Sequence, residues 1–162
     1  MYVRPYRTAD AAAIASVFTD SVRSASKDYS PEQIVAWGPD PPDVEHWRTR
    51  IAIRIGFVAE AESFEQHKGE IAGSVTLERD GHLDDLYVAP RFQRRGVAAM
   101  LYSRVEQEAQ SRHLSRIFTE ASITARPFFE SAGFSVVSAQ TVKLRGVSFT
   151  NYRMEGLLRL SQ

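Results

Sequence analysis

Apolar residues recur along the chain at two periods, and the switch between them divides it into elements. Alternation, the period of a strand with one buried face, is the pattern of Gly56 to Ala61. Ile71 to Leu77 and His82 to Val88 read as two further strands. Asp80-Gly81 between them is a hairpin signal, so the three predict an antiparallel meander. Tyr2 to Tyr6 reads as a short strand ahead of them, and Glu62 to Gly69 as a polar turn within them. Helical spacing holds at Ala11, Ile14, Ala15, Val17 and Phe18, with Thr8 as a candidate cap. It returns at Val97, Ala98, Leu101, Val105 and Ala109, one face of a helix over Gly96 to Arg112. Tyr29 to Trp37 contains a complete helix start: Ser30 can cap, Pro31 takes the first helical position and Gln33 closes a capping box. Gly38 to Pro42 breaks the chain, and a helix follows from Asp43 to about Ile53. Beyond the long helix come a strand at Ile117 to Ala121 and a short helix at Thr124 to Ala132, stopped by Gly133. Phe134 to Val137, Gln140 to Leu144 and Phe149 to Met154 read as three final strands.

No repeat, low-complexity stretch or linker interrupts the 162 residues, which reads as a single domain over 1–162. Lys plus Arg equals Asp plus Glu at 20 each. That balance argues against a general nucleic-acid or membrane-surface binder. The chain has no cysteine, which excludes disulfides, thiolate metal sites and a thiol nucleophile. The four His residues show no metal-ligand spacing, and no metal is expected. With no apolar signal core and no membrane-length apolar run, the expected compartment is the cytoplasm.

The chemically informative segment runs from Asp84 to Ala98: a strand, a basic turn holding one glycine, then a helix. A helix N-terminus offers unpaired N–H donors and the positive end of a dipole, so it suits an anion. Gly96 permits close backbone approach, Ala98 keeps the next turn small, and Arg94 and Arg95 add charge at the rim. The pattern is a pyrophosphate cradle. It lacks the Gly-Lys-Ser/Thr of a P-loop and two of the three glycines of a dinucleotide fingerprint.

Gln93-Arg94-Arg95-Gly96-Val97-Ala98 resembles the Q/R-x-x-G-x-G/A signature of the GNAT superfamily of acyl-CoA-dependent N-acyltransferases. Ala125 to Phe134 resembles that superfamily's later A-x-x-F-Y/F-E-x-x-G-F element, and the segments around Tyr29 to Gln33, Ala121 to Ala125 and Phe149 to Tyr152 look like its YafP-like branch. The resemblance implies an α/β (α+β) fold of three layers, a mixed, mostly antiparallel sheet with helices on both faces, splaying after Val88. It implies acetyl-CoA as co-substrate and direct transfer to an amine acceptor, by a monomer or homodimer. Gln93, Arg94, Arg95, Gly96, Val97 and Ala98 would hold the diphosphate. Leu86, Tyr87 and Val88 would line the preceding strand, with a backbone N–H near Val88 as the oxyanion donor. Ser122, Phe128 and Phe129 would also meet the cofactor, though Ser122 can instead cap the next helix and one of the two phenylalanines can serve the core.

Where the superfamily often has a tyrosine that protonates the departing thiolate, this chain has Phe129, and Tyr152 is the alternative acid. Asp84 is the candidate base, since an ammonium must lose a proton before it attacks; the alternative is a carboxylate that only solvates its strand. Strand parity sends Asp85 to the opposite face. His82 reads as a surface residue. By the same resemblance Tyr29, Trp37 and Asn151 line the acceptor site with Trp47, though Trp37 and Trp47 can each instead serve the core. Loss of the tyrosine also admits a CoA-binding sensor without catalysis, or a transferase for another acyl-CoA.

Overall fold

The computed structural model describes residues 1–62 and 69–159, so the turn expected at Glu62 to Gly69 lies largely outside the described residues. The meander is present: β1 (Tyr2–Pro5), β2 (Ile55–Glu60), β3 (Ile71–Leu77) and β4 (Leu83–Val88) form one antiparallel sheet in that order. A second antiparallel sheet contains β5 (Arg116–Ala121), β6 (Ser135–Leu144) and β7 (Val147–Leu157), ordered β5-β7-β6. Two of the three expected final strands are therefore one. The gap foreseen between Val137 and Gln140 is a bulge: Val136 pairs with Met154 and Ser138 with Arg153, leaving Val137 as the extra residue.

Helices cover both faces of the first sheet. Ser74 and Tyr87 share one face, and Phe18 of α1 (Ala11–Ser24) meets the Tyr87 ring edge-on at 4.9 Å. Trp47 of α3 (Val44–Ile53) packs beside Phe18 at 5.4 Å and is 3% exposed, which makes it core. The other face takes α4 (Val97–Ser111), whose Val97, Leu101, Val105 and Ala109 are all buried. Gly73 of β3 allows this contact, since a Cβ there would lie 3.0 Å from Leu101 Cδ1 and 2.8 Å from the Tyr87 carbonyl oxygen. No helix among the described residues is long and apolar enough to cross a membrane.

Local chemistry fixes the ends. Ser30 Oγ accepts from Gln33 N at 3.2 Å and Gln33 Oε1 from Ser30 N at 2.9 Å, so the capping box opens α2 (Pro31–Trp37) as expected. The Gln33 amide also donates to the Ser148 carbonyl at 3.0 Å, tying α2 to β7. Thr8 does not cap α1. The chain enters through a 3-10 turn, Thr8–Asp10, and Asp10 stands at the cap position. Its carboxylate accepts from Arg7 N at 2.7 Å and from both terminal nitrogens of Arg4 at 2.9 and 3.0 Å. Burial alone would raise the Asp10 carboxyl; Arg4 outweighs it and holds it below the usual range.

Replacing Asp10 with Ala leaves Arg4, a side chain 14% exposed, with the Glu60 carboxylate at 2.6 Å and the Pro5 carbonyl at 3.1 Å. We expect a loss of about 2 kcal/mol in chemical denaturation, below the ~3–5 kcal/mol of a fully orphaned buried charge. Because the folded carboxyl titrates low, the parent's advantage is full above about pH 4 and fades as pH falls through the folded value.

Candidate active site

β4 and β5 are the facing edges of the two sheets and run parallel, but a single bridge joins them, His82 to Phe118. Phe118 N donates to the Gly81 carbonyl at 3.1 Å, and Thr119 Oγ1 takes the next carbonyl, Leu83, at 2.8 Å. A side chain thus stands where the next ladder bond would be. The gap consequently opens along β4 itself, earlier than the expected splay after Val88. Ala89 N bonds the Ala72 carbonyl at 2.8 Å, so antiparallel alternation turns the Val88 N–H away from β3 and into the gap.

On one side of the gap lies a cleft of about 490 Å³. Leu86, Tyr87 and Val88 form its strand wall, Gln93, Arg94, Gly96, Val97 and Ala98 its loop and helix start, and Ser122 and Phe128 its far side. Arg94 and Gly96 both have positive φ, 63° and 79°, and Gly96 stands at the cap of α4. A Cβ built on Gly96 meets no protein atom within 4 Å. The space that a side chain would fill at Gly96 is open, as close approach of a diphosphate requires, and the helix end supplies unpaired donors. The residues present fit CoA. Gln93 is occupied otherwise: its amide donates to the Val88 carbonyl at 3.0 Å and fastens the loop to β4. The Arg95 guanidinium lies 5.9 Å from the Phe92 ring centre, and Arg95 does not line the cleft. Neither does Phe129, 2% exposed and packed against Phe128 and Phe134 at 5.3 and 5.0 Å. Ser122 lines the cleft, and its hydroxyl accepts from Ala125 N at 3.0 Å ahead of α5 (Arg126–Ser131).

On the other side lies a cavity of about 160 Å³. It shares Trp37, Tyr87 and Ser122 with the cleft, so the two spaces meet at those residues. Tyr29, Trp37 and Asn151, the expected acceptor residues, all line it. The Tyr29 ring lies 5.1 Å from Trp37 and 6.1 Å from Phe149, and its hydroxyl accepts from Ile123 N at 2.8 Å. Burial holds the Tyr29 and Tyr87 hydroxyls above their usual titration range, so both stay neutral; Trp37 bonds to that of Tyr87. The Asn151 Oδ1 is buried and has no partner. Phe149 and Glu120 also line this cavity, and Glu120 is a group that the sequence reading did not weigh. Its signal was available: Glu120 is two residues from Ser122, so strand parity gives them one face. Tyr152 lines neither space; its ring carries the Arg126 guanidinium at 4.4 Å.

Asp84 also lines neither space, and parity fails at it. Leu83 pairs with Leu77 and Asp85 with Thr76, leaving Asp84 as the extra residue of a bulge. Both carboxylates therefore reach one cation: Arg50 bonds Asp84 and, at 2.5 Å, Asp85, while Arg54 also bonds Asp84. Asp85 takes a further bond from Thr76 Oγ1 at 3.0 Å. Next to this network His82 is no free surface residue. Its Nε2 lies 2.5 Å from Glu120 Oε2 and its Nδ1 2.9 Å from Glu78 Oε1, with its ring stacked on Phe118. Burial alone would lower its pKa; Glu120 and Glu78 outweigh that and raise it. Glu78, His82 and Asp84 bring possible metal-ligand atoms within 4.8 Å of one another, a grouping that linear spacing did not reveal. Arg54 bonds Asp84 and approaches Glu78 at 3.6 Å, so a cation already serves two of the three.

Comparison with known proteins agrees with this geometry. A family model described as an acetyltransferase (GNAT) domain matches residues 25–156. The chain is 36% identical over 154 residues to the uncharacterized N-acetyltransferase YafP of Escherichia coli (strain K12), across 94% of this chain and 93% of that protein. It superposes on a GCN5-related N-acetyltransferase from Rhodopseudomonas palustris with a TM-score of 0.87 at 29% identity, over 96% of this chain and 94% of that one. It also superposes on YncA of Salmonella typhimurium, solved with acetyl-CoA, with a TM-score of 0.73 at 18% identity, over 100% and 96% of the two chains. The last likeness concerns the fold alone. The family match takes in the gap, the cradle and both spaces beside them, and the chain belongs to the GNAT superfamily of N-acetyltransferases.

Proposed function

We propose that the protein moves an acetyl group from acetyl-CoA in the cleft beside Gly96 to an amine in the neighbouring cavity, within one ternary complex. The observation that carries this reading is the junction of the two spaces at Trp37, Tyr87 and Ser122. There the amine nitrogen attacks the thioester carbonyl carbon, the C–S bond breaks, and CoA leaves as thiolate. The Val88 N–H, turned into the gap, faces the charge that develops on the carbonyl oxygen. A thiol titrates near pH ~8.5, so the thiolate leaves readily without a strong protein acid.

The amine arrives as an ammonium and sheds two protons on the way to the amide: one before attack, which needs a base, and one from the nitrogen after attack, which passes to the departing thiolate. Glu120 is our choice over Asp84, because Glu120 lines the acceptor cavity whereas Asp84 is bound to Arg50 and Arg54. His82 is a positioning residue: it holds one oxygen of Glu120 and links it to Glu78. Tyr152, the candidate acid, lines neither space, and Tyr152→Phe should keep turnover within about tenfold of the parent.

CoA should raise the melting temperature of the parent, since it binds the native state. Gly96→Val should abolish that shift, because a branched residue resists positive φ and fills the open space over the cradle. An unchanged shift in Gly96→Val would remove CoA from this loop. Glu120→Gln should keep the shift yet lower kcat by about 10²-fold, the scale of general-base catalysis. If Asp84→Asn instead shows that loss and Glu120→Gln does not, the base is Asp84. The positioning role of His82 has its own readout. Folded His82 titrates above the unfolded value, so its contribution to stability is complete below about pH 6.5 and is lost as pH rises through the folded value. The gap in melting temperature between the parent and His82→Gln should therefore shrink as pH rises above about 6.5; a constant gap would mean that the imidazole does not bridge the two carboxylates.

A further inference from the structure

The acceptor cavity has a chemical character that narrows what it takes. Its walls are aromatic and aliphatic: Tyr29, Trp37, Tyr87 and Phe149, with Val142 and Leu144. Among the described residues that line it, the one charged group is the Glu120 carboxylate. Aromatic rings attract cations over their faces. The cavity thus combines aromatic side chains with a carboxylate, and both favour a positive group. At about 160 Å³ it matches the ~150 Å³ of a protein cavity known to hold one benzene ring.

We infer that the acceptor is a compact monoamine, an ammonium on an apolar body of about one ring or a short chain, and that a free amino acid is rejected. An α-carboxylate in this cavity would lie among Glu120 and four aromatic side chains, with no Lys or Arg among the described lining residues to pair it. A buried unpaired charge is costly to desolvate. The ammonium, by contrast, is held by Glu120 next to the junction where the thioester arrives, and Glu120 then receives its proton. This rests on the transfer reading above, so the test includes a ligand that cannot be acetylated.

Phenethylamine and phenylalanine differ by one carboxylate and form the matched pair. We expect kcat/KM for phenethylamine to exceed that for phenylalanine by at least 10²-fold. The quaternary cation phenyltrimethylammonium should inhibit competitively against phenethylamine and not against acetyl-CoA. Its inhibition constant should rise by about tenfold in Glu120→Gln and in Trp37→Leu. Because that ion has no proton to lose, its binding reports recognition apart from general-base catalysis, and in the absence of turnover it can be followed by melting temperature with CoA present. Equal or better use of phenylalanine would overturn the inference. So would a quaternary cation that neither competes nor shifts the CoA-bound protein. A saturable CoA shift without acetylation of any amine would instead defeat the transfer reading and leave the cation-binding result standing.

Discussion

A strand edge carries backbone N–H and C=O groups that something must satisfy. In this protein two such edges face each other, bond once at His82 and Phe118, and then separate. The Thr119 hydroxyl serves the Leu83 carbonyl and the Gln93 amide serves the Val88 carbonyl. Carbonyls are thus supplied from within the chain, while the Val88 N–H stays turned to the gap. The parting of the sheets leaves that donor turned away from β3, beside two spaces that have Trp37, Tyr87 and Ser122 in common. The loop at Arg94 and Gly96 and the rings of Tyr29 and Trp37 are useful because that gap exists between them.

The bulge at Asp84 serves the same end on the other side of β4. An extra residue in the strand swings two adjacent carboxylates onto Arg50. Arg50 rides on α3, whose Trp47 is buried against Phe18, and Phe18 packs on Tyr87. The ion pairs and the rings together lock α1 and α3 against the strand that supplies both cavities with Tyr87. Partly buried charges of this type bring little net stability; their effect is to make alternative placements of the strand costly, since each would orphan a charge.

Much of this was legible in the sequence. The period-2 and period-3.6 patterns gave the meander, the long helix and the capped start of α2, because burial on one face writes directly into the residue order. The cradle was legible because Gly96 needs a backbone conformation that other residues resist, and so stands out in a strand-turn-helix context. Two failures share one cause. Asp84 and Val137 are bulged residues, and a bulge shifts parity without leaving a mark in the hydrophobic pattern. Glu120 was passed over although its parity with Ser122 was readable; what no local pattern encodes is its bond to His82, 38 positions away. Of the two phenylalanines for which the sequence left cofactor contact and core packing open, Phe129 is the one whose ring belongs to the core.

The acceptor wall has a small apolar cluster of its own. Ala25, Tyr29, Ala36 and Phe149 pack together with Trp37 and Ile34, apart from the large core that unites both faces of the first sheet. A seven-residue helix, a capping box and the Gln33 tether hold this cluster in place. Substitutions there reshape the lining of the smaller cavity, which shares Tyr29, Trp37 and Phe149 with this cluster, at a distance from the packing around Val75, Leu101 and Val105. The walls of that cavity can thus vary while the sheet and the helix that carry Gly96 keep their packing.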